Sequence, residues 1–293
     1  MIFSQLPVQT DCCGKIKTGA GQKQILRAML IKGARTGTSL RPLRKYEYML
    51  RSFLFVLFGA VVHLSGFAGW GPAGSFLPDT PLVVRSCRDF KVNGKGDNAQ
   101  WKKAPWTDLQ KLDAGGAAYK SRFKILYSSR GIYVLFDGAD ETITSSFKKD
   151  FDPLFKGDVF EVFFDTAPAE PVYFEYEVSP LDKELVLLMM NRNDSISGWA
   201  PWAYRGGNKV EKRTHISGGA MKPGARIKGW TTELFFPYRL LSPLNEVPPV
   251  KGTRWNANFC RLDYDSGQMI KWAWAPVAGS FHERHRYYAL LFE

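Results

Sequence analysis

The segments "DVFEVFFDT" (Asp158–Thr166) and "VYFEYEVSP" (Val172–Pro180) alternate large apolar and acidic side chains with a period of two. Successive side chains of a strand point to opposite faces. Glu161 and Asp165 therefore share one face of the first segment, and Glu175 and Glu177 one face of the second. Working outward, "RFKILYSSRGIYVLFDGAD" (Arg122–Asp140) is two apolar runs joined by Ser-Ser-Arg-Gly, which reads as a hairpin. "KELVLLMMNRN" (Lys183–Asn193) is another apolar run. "RIKGWTTELFFPYRLL" (Arg226–Leu241) reads as a strand that stops at Pro237 and enters a short turn or helix. "RWNANFCRLDYD" (Arg254–Asp265), "KWAWAPV" (Lys271–Val277) and "RYYALLFE" (Arg286–Glu293) complete the series. No strong long helix interrupts these runs, and no blade-length repeat supports a propeller. The pattern predicts an all-β fold, an antiparallel β-sandwich of jelly-roll or immunoglobulin-like type.

The formal net charge of +12 is unevenly placed. Residues 1–51 hold ten Lys/Arg against two Asp/Glu, and the rest of the chain thirty against twenty-six. The body is thus nearly balanced, with no basic run that marks a nucleic-acid partner. "MLRSFLFVLFGAVVHLSGFAG" (Met49–Gly69) runs from basic to apolar to small residues, the order of a secretory signal. The expected organisation is a disordered basic leader over 1–48, with Met49 as an alternative start, a signal peptide over 49–74 and the sandwich over 75–293. Cleavage near Ala68 or Ala73 would make the protein secreted or periplasmic, with no membrane attachment afterwards. An uncleaved anchor is the alternative, although the apolar run is short for a span. Cys12 and Cys13 lack metal-site spacing. Cys87 and Cys260 fall in strand-like segments of the exported part, where a disulfide is favoured; two separately buried thiols are the alternative.

The sequence has no phosphate-binding glycine loop and no Gly-x-Ser-x-Gly elbow. His282 and His285 form H-x-x-H without the further ligands zinc needs. Carboxylates are the catalytic candidates: two among Glu161, Asp165, Glu175 and Glu177 would satisfy the roughly 5–9 Å separation of a glycoside-cleaving pair. "SGWAPWAYRGG" (Ser197–Gly207) puts Trp199, Trp202 and Tyr204 into a stretch that Pro201 and glycines mark as a loop. It reads either as a lid on the sandwich end or as a stacking platform. Trp272 and Trp274, two apart, share a strand face, and Trp101 and Trp106 read as core.

In order along the chain, "VNGKGDNAQWKKAPWTDL", "KILYSSRGIYVLFDGAD", "DPLFKGDVFEVFFDT", "YFEYEVSP", "GWTTELFFPYRLL", "RWNANFCRLDY" and "WAWAPV…SFHERHRYYALLF" resemble the family 9 carbohydrate-binding modules and their DOMON-like relatives. The resemblance covers about residues 82–293. It implies a sandwich that binds sugar without cutting it, beside polysaccharide-degrading enzymes. The family's two sugar-sandwiching tryptophans fall on Phe155 and Phe281, its hydroxyl-binding glutamate on Glu161, and its arginine on Glu177. Trp199, Trp202 and Tyr204 would supply a replacement platform. No cofactor is expected; structural calcium is implied by the resemblance, without support from the spacing of the acids. The DOMON-like relatives imply a further alternative, a haem or redox domain with Met189, Met190 and His215 as ligands.

Overall fold

The alternating segments become strands. The computed structural model describes residues 80–192, 195–202 and 206–293. The expected leader and signal segment, and Tyr204, lie outside the described residues. The described strands are β1 (Leu82–Ser86), β2 (Thr107–Asp108), β3 (Gln110–Lys111), β4 (Ser121–Tyr127), β5 (Gly131–Ala139), β6 (Val159–Asp165), β7 (Val172–Val178), β8 (Glu184–Arg192), β9 (Ser195–Pro201), β10 (Glu211–Ser217), β11 (Gly229–Pro237), β12 (Arg254–Asp263), β13 (Ile270–Ala273) and β14 (Tyr288–Phe292), with a one-turn helix α1 (Tyr238–Leu241) after Pro237. Among the described residues no helix is long and apolar enough to cross a membrane.

One layer runs β10-β11-β5-β4 and the other β14-β12-β6-β7-β8-β9, with β1 between them. Leu82–Val84 pair with β14 and Arg85–Ser86 with β4, both in parallel. The fold is therefore a β-sandwich whose ladders are antiparallel except at β1, which passes from one layer to the other and runs parallel to both neighbours. Between the layers the inward side chains are aromatic. Phe123 of β4 stacks on Phe259 of β12 at 3.9 Å, and Phe136 of β5 on Phe160 of β6 at 4.6 Å. Trp230 packs on Phe160 and Trp274 on Phe123. Offset and edge-on ring pairs of this kind add to the area they bury.

Each outer face is also covered. Residues 87–106 lie over the first layer, where Phe90, Val92 and Trp101 pack on Tyr133, Leu135 and Phe235. Glu233, fully buried on β11, holds this segment by accepting from the backbone N–H of Asn93 and Gly94 and from Trp101 Nε1 at 2.6 Å. Gly94 has φ +85, and a Cβ there would meet the Arg213 carbonyl at 2.9 Å, so the turn requires glycine. Trp101 is core as expected. Trp106 is not: it is 36% exposed beneath Arg122 and Lys124, whose cationic groups lie 4.2 and 4.9 Å from its ring centre.

Two further expectations are corrected here. Cys87 and Cys260 are free thiols, not a disulfide. Cys87 follows β1 and packs with Phe90 over the first layer, whereas Cys260 sits mid-strand in β12 on the outer face of the second. Burial raises the pKa of both, Cys87 to about 11, so both remain protonated. The stretch beginning "SGWAP" is not a loop but the edge strand β9, paired with β8. Pro201 is tolerated because it ends an outermost strand, where one side of the ladder is open.

Candidate functional site

The outer face of the second layer gathers the acids. In register, Glu161 lies between Cys260 and Glu177, and Glu175 between Phe163 and Leu187. The pleat alone puts Glu161, Glu175 and Glu177 on one side. Their solvation is not the pleat's doing. Residues 147–156 and 277–287 fold over this face, so Leu154, Phe281 and Tyr287 join Phe163, Tyr173 and Leu187 in one apolar cluster. Glu161 is only 3% exposed, and Glu177 2%.

Three carboxyls in such a place hold their protons. Burial raises all three pKa values, that of Glu175 to about 8. Charge on Glu175 raises Glu161 further, and charge on Glu161 and Glu175 raises Glu177. Glu177 shares a hydrogen bond with Glu175, which raises the one and lowers the other, so the proton resides on Glu177. The backbone N–H of Phe155 donates to Glu177. Oε2 of Glu175 and Oε2 of Glu177 are buried without a hydrogen-bond partner.

Phe155 sits above this floor in a single 3-10 turn over residues 154–156, 44% exposed, with its carbonyl held by the Tyr264 hydroxyl at 2.6 Å. Phe281, at 7% exposure, packs into the cluster beside Phe163 instead of presenting an open ring. Next to it His282 Nδ1 lies 2.7 Å from the Tyr173 hydroxyl and 3.9 Å from Glu175 Oε2. Burial lowers the His282 pKa to about 4, so the ring is neutral and the Glu175 contact is not an ion pair. The 277–287 segment is tied to β6 at one point and braced within itself at another. Arg284 binds Asp165 through two bonds of 2.9 and 2.7 Å and lies over the Tyr173 ring. Glu283 accepts from the N–H groups of Ala278, Gly279 and Ser280. Burial would raise its pKa, but these bonds and Arg286 outweigh it and hold Glu283 at about 2.

Trp199 and Trp202 part company. Trp199 stands 53% exposed, opposite Met189. Trp202, three positions on and so of opposite parity, is half-buried and donates from Nε1 to the Leu240 carbonyl of α1 at 2.9 Å. It closes the sandwich edge.

The other candidate chemistries do not assemble. Asp165 is committed to Arg284. Met189 and Met190 point to opposite faces of β8, and His215 lies on β10 opposite Thr231, on the outer side of the other layer. These three residues cannot share a haem. Calcium, implied by the family resemblance, has one geometric candidate among the described residues, Asp140, Asp263 and Asp265, whose oxygens lie within 4.8 Å of one another. Two of these acids already hold a cation: Arg261, fully buried, pairs with Asp140 at 3.1 Å and Asp263 at 2.6 Å. Asp265 accepts from Tyr119 and Thr144. The donor set is spent on protein partners and does not fit a calcium ion. Sequence reading missed Arg261 and its acids; the "CRLDYD" run held them, but nothing local showed that Asp140 would join.

Residues 92–187 match the family described as carbohydrate family 9 binding domain-like. No curated protein sequence matches the chain. Among solved structures, a candidate carbohydrate-binding protein of Bacteroides uniformis is similar with a TM-score of 0.58 at 15% identity, covering 72% of this chain and 98% of the other. A carbohydrate binding module family 9 of Caldicellulosiruptor kristjanssonii in complex with glucose is similar at TM-score 0.51 and 13% identity, covering 72% and 94%. The same module in complex with cellotriose gives 0.51 and 13%, covering 72% and 93%. At these identities the likeness is one of fold. The matched region holds Phe155 and the three glutamates, and the sandwich shares its fold with these carbohydrate-binding proteins.

Proposed function

We propose that the protein binds a carbohydrate, without cutting it, on the outer face of the second layer, with Phe155 as a stacking ring and Glu161 and Glu177 on the floor beneath it. The observation that carries this is the unpartnered buried Oε2 of Glu177, whose carboxyl accepts from the backbone N–H of the exposed Phe155 turn, and that of its neighbour Glu175, beside Glu161 on the same floor. An unpartnered buried polar atom costs about 1–3 kcal/mol, which a sugar hydroxyl would recover. Protonated carboxyls both donate and accept, and so suit neutral hydroxyls. Contact with the floor requires the 151–156 turn to shift, and Phe151, at φ 67, marks where that turn is already strained. The structurally similar family 9 module in complex with glucose and cellotriose supports the ligand class. Secretion, and a role beside polysaccharide-degrading enzymes in extracellular glycan breakdown, complete the reading; the Met49–Ala73 signal pattern supports export.

Calorimetry with glucose and cellotriose tests it. Phe155→Ala is expected to weaken binding by about three- to ten-fold, the worth of one aromatic stack. Its melting temperature should stay unchanged, because the ring is exposed. Glu161→Gln should weaken binding by about two- to ten-fold, the range of one neutral hydrogen bond. Chromatography of the incubated sugar should show no product. Wild-type affinity in both variants would remove the site, and released product would favour the glycoside-cleaving alternative.

A further inference from the structure

Phe155 has a counterpart at the far edge of the same face. Trp199 lies opposite Met189, and Met189 opposite Tyr173. Residues directly opposite in a ladder share a face, so Trp199 stands on the side that carries Glu175 and Glu177. The pairing shifts between Met190 and Asn191, which sets Ile196 opposite Asn191. Asn191 donates to the His282 carbonyl on the outer face, so Ile196, 38% exposed, flanks Trp199 there. Glu177 and Trp199 are separated by two strands across and four residues along. At ordinary strand spacing and rise that is about 16 Å, further than one sugar ring bridges. Half-buried His282 stands beside this route, its Nδ1 against the Tyr173 hydroxyl and near Glu175 of β7. Two aromatic stations that far apart, with an apolar floor of Leu187 and Met189 between them and the His282 ring beside it, match a sugar chain, which can lay an apolar face on each ring and turn hydroxyls toward the histidine.

We infer that Trp199 is a second stacking platform and that this face takes a glycan chain running from Phe155 to Trp199, not a single terminal sugar. The inference rests on the carbohydrate-binding reading above. Calorimetry of the full chain with glucose, cellotriose and cellohexaose tests both and tells them apart. Wild-type protein should bind cellohexaose more tightly than glucose. Trp199→Ala should weaken cellohexaose by about three- to ten-fold and leave glucose affinity and melting temperature unchanged, and Trp199→Phe should restore part of the loss. Equal effects on glucose and cellohexaose, or none on either, overturn the second platform. So does a wild-type dimer that Trp199→Ala converts to monomer, since that assigns the ring to self-association. A wild type that binds glucose without gaining from chain length overturns this inference alone. One that binds none of the three sugars overturns the carbohydrate reading with it.

Discussion

Glu175 shows how a single buried group couples this face to pH. Its carboxyl holds a proton to about pH 8, because burial disfavours the charge, whereas an ordinary glutamate releases it near 4.5. Between those values the folded state binds a proton that the unfolded chain has lost, so stability is full below about 4.5 and falls as pH rises toward 8. At about 1.4 kcal/mol per pKa unit the effect amounts to a few kcal/mol. Asp158, raised to about 8, and Asp140, raised to about 7, both chiefly by burial, push the same way. Glu175→Gln removes one member of the set and keeps its shape. Its melting temperature should match wild type near pH 4.5, exceed it near pH 8, and fall less steeply between. Parallel curves for the two proteins would show that Glu175 does not titrate in this window. The alternation of "FEYEV" was enough to place Glu175 and Glu177 on one face. It was silent on their burial, because the covering residues come from segments up to about a hundred positions away, and a period of two describes only the strand's own geometry.

Among the elements, β9 departs most from its sequence pattern. Glycine, serine and proline in "SISGWAP" argue against a strand, yet β8 offers a free edge and β9 pairs along it. Edge position removes the usual objection to Pro201, and tertiary pairing overrides a weak local preference. Parity then divides the two tryptophans. The three-residue step from Trp199 to Trp202 turns one ring outward and the other toward α1, a separation that becomes readable once the segment is known to be extended. Trp202→Ala deletes a half-buried indole and its bond to Leu240, and should cost about 1–3 kcal/mol, below the full-burial range. In a domain of this size that lowers the melting temperature by roughly 2–12 °C. Glucose affinity at 25 °C should be unchanged, since the ring faces away from the proposed site. The reverse outcome, lost affinity with an unchanged melting temperature, would place Trp202 in the site and not at the edge.

At the scale of the molecule, the hairpin of β4 and β5 and the alternating β6 and β7 were legible because each carries its own periodicity and turn. What joins the two layers was not. β1 is five residues long, and its role comes from partners far apart in sequence, with Val84 fully buried opposite Phe292 while Ser86 pairs with Tyr127. The surface pair of Arg85 and Glu293 adds little beside this. Long-range pairing of this kind leaves no mark in a local window, which is also why Cys87 and Cys260 read as a disulfide when they belong to separate clusters. The consequence is a sharp boundary for processing. Cleavage at the expected signal junction falls before Leu82 and spares β1, so N-terminal sequencing of protein exported by its native host should find a start within about residues 69–75. A recombinant chain starting at residue 75 should melt in one transition at the temperature of the longer chain. Starting at residue 88 instead removes β1, opens the edges of β4 and β14 and exposes their ladder groups, with a loss of several kcal/mol and a tendency to associate through the free edges. If the chain starting at 88 melts as the chain starting at 75 does, β1 is not the joint between the layers, and the two sheets must be held together by their aromatic interior alone.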